Sequence, residues 1–186
     1  MNPVIVGVVL LYNLTGTFDW TAVDEIGDAA TSGYTISKNL TIEGQGASTT
    51  TVQAANADNI ADRRIFTINN CYTVSINNCT IRYGKTTDGG GIQVDGIATI
   101  ESCDISYNRA TGASGGGLNC RGKVTLNNSL VSNNFAKSLT FIKFTLTNGC
   151  NVFVINKATS IDCLTSPCTS IYIVIHSMPT FASILE

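Results

Sequence analysis

Apolar and polar positions alternate in short bursts along this chain, and the bursts recur at long range. From Gly89 the sequence reads GGGIQVDGIATIESCDISYNRA, and from Gly115 it reads GGGLNCRGKVTLNNSLVSNNFA. With the glycine triplets aligned, Ile92 falls over Leu118, Val94 over Cys120, Ala98 over Val124, Ile100 over Leu126 and Ile105 over Val131, an offset of 26 residues throughout. A fixed period of about 20–50 residues marks a solenoid, propeller or array.

The columns extend outward from this pair. One runs Leu40, Val74, Ala98, Val124, Val152, and its neighbour runs Ile42, Ile76, Ile100, Leu126, Val154, with steps of 34, 24, 26 and 28 residues. Another runs Phe66, Ile92, Leu118, Phe144 beside Ile68, Val94, Cys120, Leu146, each step being 26. A third set, Ile81, Ile105 and Val131, starts at Val52. Each repeat therefore holds three short apolar–polar–apolar strands, an alternation that turns one face inward. Turn formers separate them: Asn77-Asn78, Glu101-Ser102, Asn127-Asn128 and the glycine triplets. Asn and Gly accept the positive φ that a sharp corner needs. Strands stacked on their copies at about 4.8 Å make an all-β parallel β-helix, read here as about five rungs of three strands. The Asn-Gly or Asp-Gly hairpins of an antiparallel sandwich do not occur at suitable intervals.

The flanks are less regular. Val4 to Tyr12 reads as a buried first strand. It lacks a preceding basic residue and a cleavage site, and is shorter than the roughly 20 apolar residues that cross a bilayer. Thr21 to Thr31 reads as an amphipathic helix, with Val23, Ile26 and Ala30 on one side, Thr21 and Asp24 as its start signal, and Gly33 as its stop. An open strand stack needs its end covered, so this helix is expected to be an N-terminal cap. After Ala136 the corner residues vanish, and from Thr159 no rung can be placed, although Ile171 to Ile175 is a strand-like run. The expected division is an N-terminal strand and capping helix over 1–33, a β-helix over 34–158, and an irregular tail or truncated coils over 159–186.

Composition narrows the function. Only 13% of the 186 residues are charged and the net charge is −2, without the clustered basic excess of a nucleic-acid binder. Polarity comes from Asn, Ser, Thr and Gly. The seven cysteines (71, 79, 103, 120, 150, 163 and 168) have no zinc spacing, and His176 is the sole histidine. Cys79, Cys103 and Ser129 form a column of small fillers; side chains in register point in parallel, so Cys79 and Cys103 are expected to remain free thiols. Cys163 and Cys168 are the better placed pair.

Three glycine stretches imitate nucleotide or ion loops and fail. Gly44-Gln45-Gly46 leads into strand rather than helix. Gly84-Lys85-Thr86 has Cys79 where a phosphate loop has its first glycine. Gly89 to Ile92 places Ile and Val where a calcium repeat has Gly and Asp. The acids Glu43, Asp88, Asp95, Glu101 and Asp104 are candidates for carbohydrate chemistry, which needs two carboxyls about 5–10 Å apart. Of these, Glu43 and Glu101 share a column with Asn77 between them, two rungs and about 9–10 Å apart. A solvated edge with scattered charges is the simpler explanation of such acids, since exposed acids are usual. Asn13, Asn39, Asn78 and Asn127 head N-x-[ST] sequons, read as incidental in an Asn- and Thr-rich solenoid. No catalytic, cofactor-binding or metal-ligating residue is assigned, and no cofactor.

Ile105-Ser106-Tyr107-Asn108 and Val131-Ser132-Asn133-Asn134, with Gly90-Gly91-Ile92 and Gly116-Gly117-Leu118, resemble the FxxN and GGA[ILV] repeats of polymorphic outer-membrane proteins, with an aliphatic residue for Phe and glycine for alanine. NLTIEGQGASTTTVQA is similar to the first coil of bacterial right-handed β-helix proteins of the pectin-lyase-like superfamily. The resemblance, covering Tyr34 to Ala136, implies a right-handed parallel β-helix that is extracellular or displayed at the cell surface, often as an adhesin. The leading expectation is a non-enzymatic scaffold contacting glycans or a host or cell-surface protein. A polysaccharide lyase or glycoside hydrolase on the same fold, using Glu43 and Glu101, is the rival. A fragment or degenerate product without independent function is the third reading.

Overall fold

The computed structural model describes residues 16–19, 33–112 and 115–136, with the backbone of further strands at 141–143, 152–155, 160–162 and 171–174. The chain winds as a parallel β-solenoid, every strand pairing being parallel. From Tyr34 to Ala136 there are three full turns and most of a fourth, and among the described residues there is no helix.

Each coil starts with a strand of the first sheet: Tyr34–Ile36, Phe66–Ile68, Ile92–Val94 and Leu118–Cys120. The second sheet follows, with Leu40–Glu43, Thr73–Asn77, Ile97–Glu101 and Lys123–Asn127. The third holds Thr50–Gln53, Thr80–Arg82, Asp104–Ser106 and Leu130–Ser132. The register matches the sequence columns: Leu40, Val74, Ala98 and Val124 stack, as do Ile42, Ile76, Ile100 and Leu126, and Val52, Ile81, Ile105 and Val131. These residues form one buried core running up the axis. Burial of each such aliphatic side chain stabilises the fold by about 1.5–3 kcal/mol.

Corners are made by single residues in the left-handed region. Asn78, Ser102 and Asn128 have φ of 56°, 52° and 46° and separate the second from the third sheet, at the Asn-Asn and Glu-Ser pairs expected to turn. A second column, Tyr83, Tyr107 and Asn133, has φ of 64°, 55° and 52°. It leads into a fourth strand that alternation could not reveal because it is two residues long: Lys85–Thr86, Arg109–Ala110 and Phe135–Ala136. The second, third and fourth coils are therefore four-sided rather than three-sided, while the first has three strands.

Inside this second corner the motif asparagines form a ladder. Asn108 Nδ2 donates to Ile81 O at 3.0 Å and its Oδ1 accepts the Gly84 N–H at 2.8 Å; Asn134 Nδ2 donates to Ile105 O at 2.7 Å. In the glycine triplets only Gly89 and Gly115 have positive φ, +64° in both. The third glycine has another purpose: a Cβ on Gly91 would lie 2.5 Å from Gly117 O and 3.0 Å from the Asn108 amide.

Two placements differ from expectation at the ends. Gly16–Asp19 is a strand of the third sheet, with Phe18 beside Val52, so that column begins before Val52. Val152–Ile155 pairs with Leu130–Ser132, placing Val154 beside Val131 in the third sheet rather than under Leu126 in the second. Ile171–Val174 pairs with it in turn, and Phe141–Lys143 pairs with Ser160–Asp162 in a separate sheet. Apolar alternation alone fits any column, and past Ala136 no corner residue sets the sheet. The strand at 4–12, the capping helix at 21–31, Phe144, Leu146, Cys163, Cys168, His176 and the Asn13 sequon lie outside the described residues.

Candidate functional site

The corner between the first and second sheets is uneven, and that unevenness makes a groove. In the second coil four residues, Asn69 to Tyr72, join Ile68 to Thr73. In the third and fourth coils only Asp95-Gly96 and Arg121-Gly122 make the same connection. Register puts Gly96 beside Tyr72 and Gly122 beside Gly96, so the longer corner overhangs a column without side chains. Backbone bonds close the short corners tightly beneath it: Ile97 N to Tyr72 O is 2.8 Å and Lys123 N to Gly96 O is 2.9 Å. A side chain at Gly96 or Gly122 would run into the backbone of the adjacent coil. The resulting open groove, about 710 Å³, is lined by Ser37, Asn69, Asn70, Tyr72, Asp95 and Arg121. These six come from all four coils.

The lining is a set of hydrogen-bonding groups with one aromatic ring. Asn69 Nδ2 donates to Ser37 Oγ at 2.7 Å, tying the first coil to the second. Asp95 Oδ1 accepts from Gln93 Nε2 at 2.8 Å and lies 4.0 Å from Arg121 Nη1, whose side chain is 64% exposed. Behind Asp95, Arg64 donates to Asp88 O at 2.8 Å. Burial lowers the pKa of Arg64, while the carboxylates of Asp95 and Asp88 pull the other way. Opposite charges so close together leave the groove without a dominant sign, while Arg121 keeps most of its five donors for a ligand.

The second sheet's outer face borders the groove. Thr41, Ser75, Thr99 and Thr125 stack in register as outward hydroxyls, at the strand spacing of about 4.8 Å. The neighbouring column is Glu43, Asn77, Glu101, Asn127, which confirms the register expected for Glu43 and Glu101, with Asn77 between them. The structure does not bring the two carboxyls together as a pair. Glu43 Oε2 accepts from Asn77 Nδ2 at 2.8 Å, and Oε1 accepts from Asn78 Nδ2. Both oxygens are thus engaged in holding the corner, while Glu101 is exposed. Asp104 lies in the third sheet between Thr80 and Leu130, and Asp88 sits with Arg64, so neither joins them. Among the described residues no group of three or more His, Cys, Asp or Glu side chains is placed to hold a metal ion.

Other conspicuous side chains serve the fold. Arg82 lies over the Tyr83 ring at 4.8 Å, the Tyr83 and Tyr107 rings meet at a tilt of 50° with centroids 5.9 Å apart, and Arg109 covers the Phe135 ring at 4.3 Å while pairing with Asp58 at 3.5 Å. Cys79 and Cys103 are buried free thiols with sulfurs 3.9 Å apart, as the parallel stacking leads one to expect. Their mutual hydrogen bond, and then burial, raise the Cys79 thiol well above its ordinary pKa. The Asn39 sequon amide accepts the Thr73 N–H at 2.9 Å and Asn78 holds Glu43, so both are used structurally. Gly44, Gly84 and Gly89 to Gly91 all lie where strands meet corners.

Compared with known protein families, curated proteins and solved structures, the chain matches none of them. Of the groove residues, sequence reasoning singled out only Asp95, and for a different chemistry. The signal for the rest is present in the numbering: Ile76 to Ile100 steps by 24 while Phe66 to Ile92 steps by 26, so the second coil has two extra residues before its second strand.

Proposed function

We propose that this protein is a non-enzymatic β-solenoid scaffold, secreted or displayed at a cell surface, that contacts glycans through the groove between its first and second sheets. The observation that carries this reading is the lining: amides of Asn69 and Asn70, the hydroxyl of Ser37, the ring of Tyr72 and the Asp95–Arg121 pair, in one continuous depression. Sugars offer dense hydroxyls and an apolar ring face, and a few convergent polar groups with an aromatic side chain complement both. The engagement of both Glu43 oxygens argues against the lyase or hydrolase alternative, which needs a carboxyl free to move a proton. The likeness of the Ile105–Asn108 and Val131–Asn134 repeats to those of polymorphic outer-membrane proteins supports the surface location.

A glycan array probed with the wild-type protein and with Tyr72→Ala and Arg121→Ala tests the reading. Binding to a defined set of glycans, reduced at least tenfold in each variant while the melting transition is kept, is the expected result. Array binding that both variants retain in full would place the contact elsewhere and refute the proposal.

A further inference from the structure

Because the groove is built from one corner repeated coil after coil, its direction is set. Ser37 belongs to the first coil, Asn69, Asn70 and Tyr72 to the second, Asp95 to the third and Arg121 to the fourth. The depression therefore runs parallel to the solenoid axis and crosses three coil intervals, roughly 14 Å at the strand spacing of about 4.8 Å. Beside it, on the same four coils, the hydroxyls of Thr41, Ser75, Thr99 and Thr125 repeat at the same interval. Among the described residues none of these four has a hydrogen-bond partner, so each has a donor and acceptor to offer.

From this geometry we infer that the groove takes an uncharged, linear, β-linked glycan lying along the solenoid axis, with one sugar unit per coil. The inference rests on the glycan reading above and adds the ligand's class, direction and register. An extended β-1,4-linked chain is a flat, straight ribbon whose pyranose units follow one another at nearly the coil interval, each turned over relative to the last, so one unit lies on each coil and alternate units present the same face. An α-1,4-linked glucose chain curls and loses register after the first unit. Uncharged sugars are favoured because the only charged lining groups, Asp95 and Arg121, are of opposite sign and 4.0 Å apart.

Calorimetric titration with oligomers of two to six units tests this, using β-1,4-linked glucose and β-1,4-linked N-acetylglucosamine as the two probe series. In at least one series affinity should tighten severalfold with each unit up to four and then level off. The α-1,4-linked glucose oligomers and galacturonate oligomers of equal length should bind at least tenfold more weakly. Arg121→Ala, which trims an exposed side chain in the last coil, should remove the gain from the fourth unit, so that oligomers of three and four units bind alike. Equal affinities for two and six units would overturn the axial register while leaving glycan contact intact, and so would tighter binding of galacturonate for the uncharged class. If neither β-1,4 series binds but the array shows other glycans bound, this inference fails and the broader function stands; if the array is blank as well, both fail.

Discussion

Asn134 Oδ1 accepts two hydrogen bonds from Asn108, one from its backbone N–H at 2.9 Å and one from its side-chain amide at 3.0 Å. The two residues are 26 apart in sequence and one coil apart in space. Asn108 repeats the arrangement toward Gly84 and Ile81. Replacing Asn108 by Ala leaves the Gly84 N–H and the Ile81 carbonyl without these side-chain partners in a buried corner. A loss of about 2–4 kcal/mol is expected, since each buried unsatisfied group costs about 1–3 kcal/mol. Urea unfolding of Asn108→Ala beside the neighbouring exposed Tyr107→Asn, which keeps a residue suited to positive φ, measures it; equal stability of the two variants would remove the ladder from the account.

The glycine triplets divide their work, and substitution should separate the parts. Gly91→Ala places a methyl 2.5 Å from the Gly117 carbonyl, so the coils must move apart, and a loss of about 1–3 kcal/mol is typical of such overpacking. Gly89→Asn puts a residue tolerant of positive φ at +64°, with its Cβ 3.1 Å from the Asn119 Cβ and the Gln93 amide oxygen rather than 2.5 Å from a carbonyl, and should cost less. Thermal melts of the two variants give the order directly.

The thiols should fall into two reactivity classes. Cys71 is exposed at a corner with φ of 70°, whereas Cys79 and Cys103 are buried against each other. The hydrogen bond with Cys103, then burial, keep Cys79 protonated. Only the thiolate reacts. Alkylation of the native protein followed by peptide mass mapping should label Cys71 within minutes and leave Cys79 and Cys103 unmodified until denaturant is added. A Cys79–Cys103 disulfide found under non-reducing conditions would contradict the parallel stacking.

The overhang can be removed without touching the core. Deleting Asn70 and Cys71 shortens the second coil's corner to the two residues found in the third and fourth coils. Thermal unfolding should remain a single cooperative transition, and array glycan binding should fall to background. Retained binding would show that the groove is not the contact surface.

The solenoid was legible because its inward residues repeat: Ile76, Ile100 and Leu126 differ little in shape, and stacking at one interval demands that. The corner column of Asn78, Ser102 and Asn128 was legible for a similar reason, since small polar residues accept positive φ. Tyr83 and Tyr107 adopt the same conformation with no such preference, so the corner they make, and the two-residue strand after it, went unseen. Glu43 drew attention as an acid, yet its role comes from Asn77 and Asn78, whose amides reach it only once the coils stack. The groove escaped because it is a difference between coils, two added residues at one corner, whereas a repeat is recognised by what stays the same.

Product analysis on a bound glycan tests the central claim most directly. The protein is incubated with each glycan that it binds on the array, and reducing ends and unsaturated products are followed over a day. Saturable binding with neither product is the predicted result. Turnover that persists through purification and disappears in Glu43→Gln or Glu101→Gln would contradict the scaffold and establish an enzyme in its place.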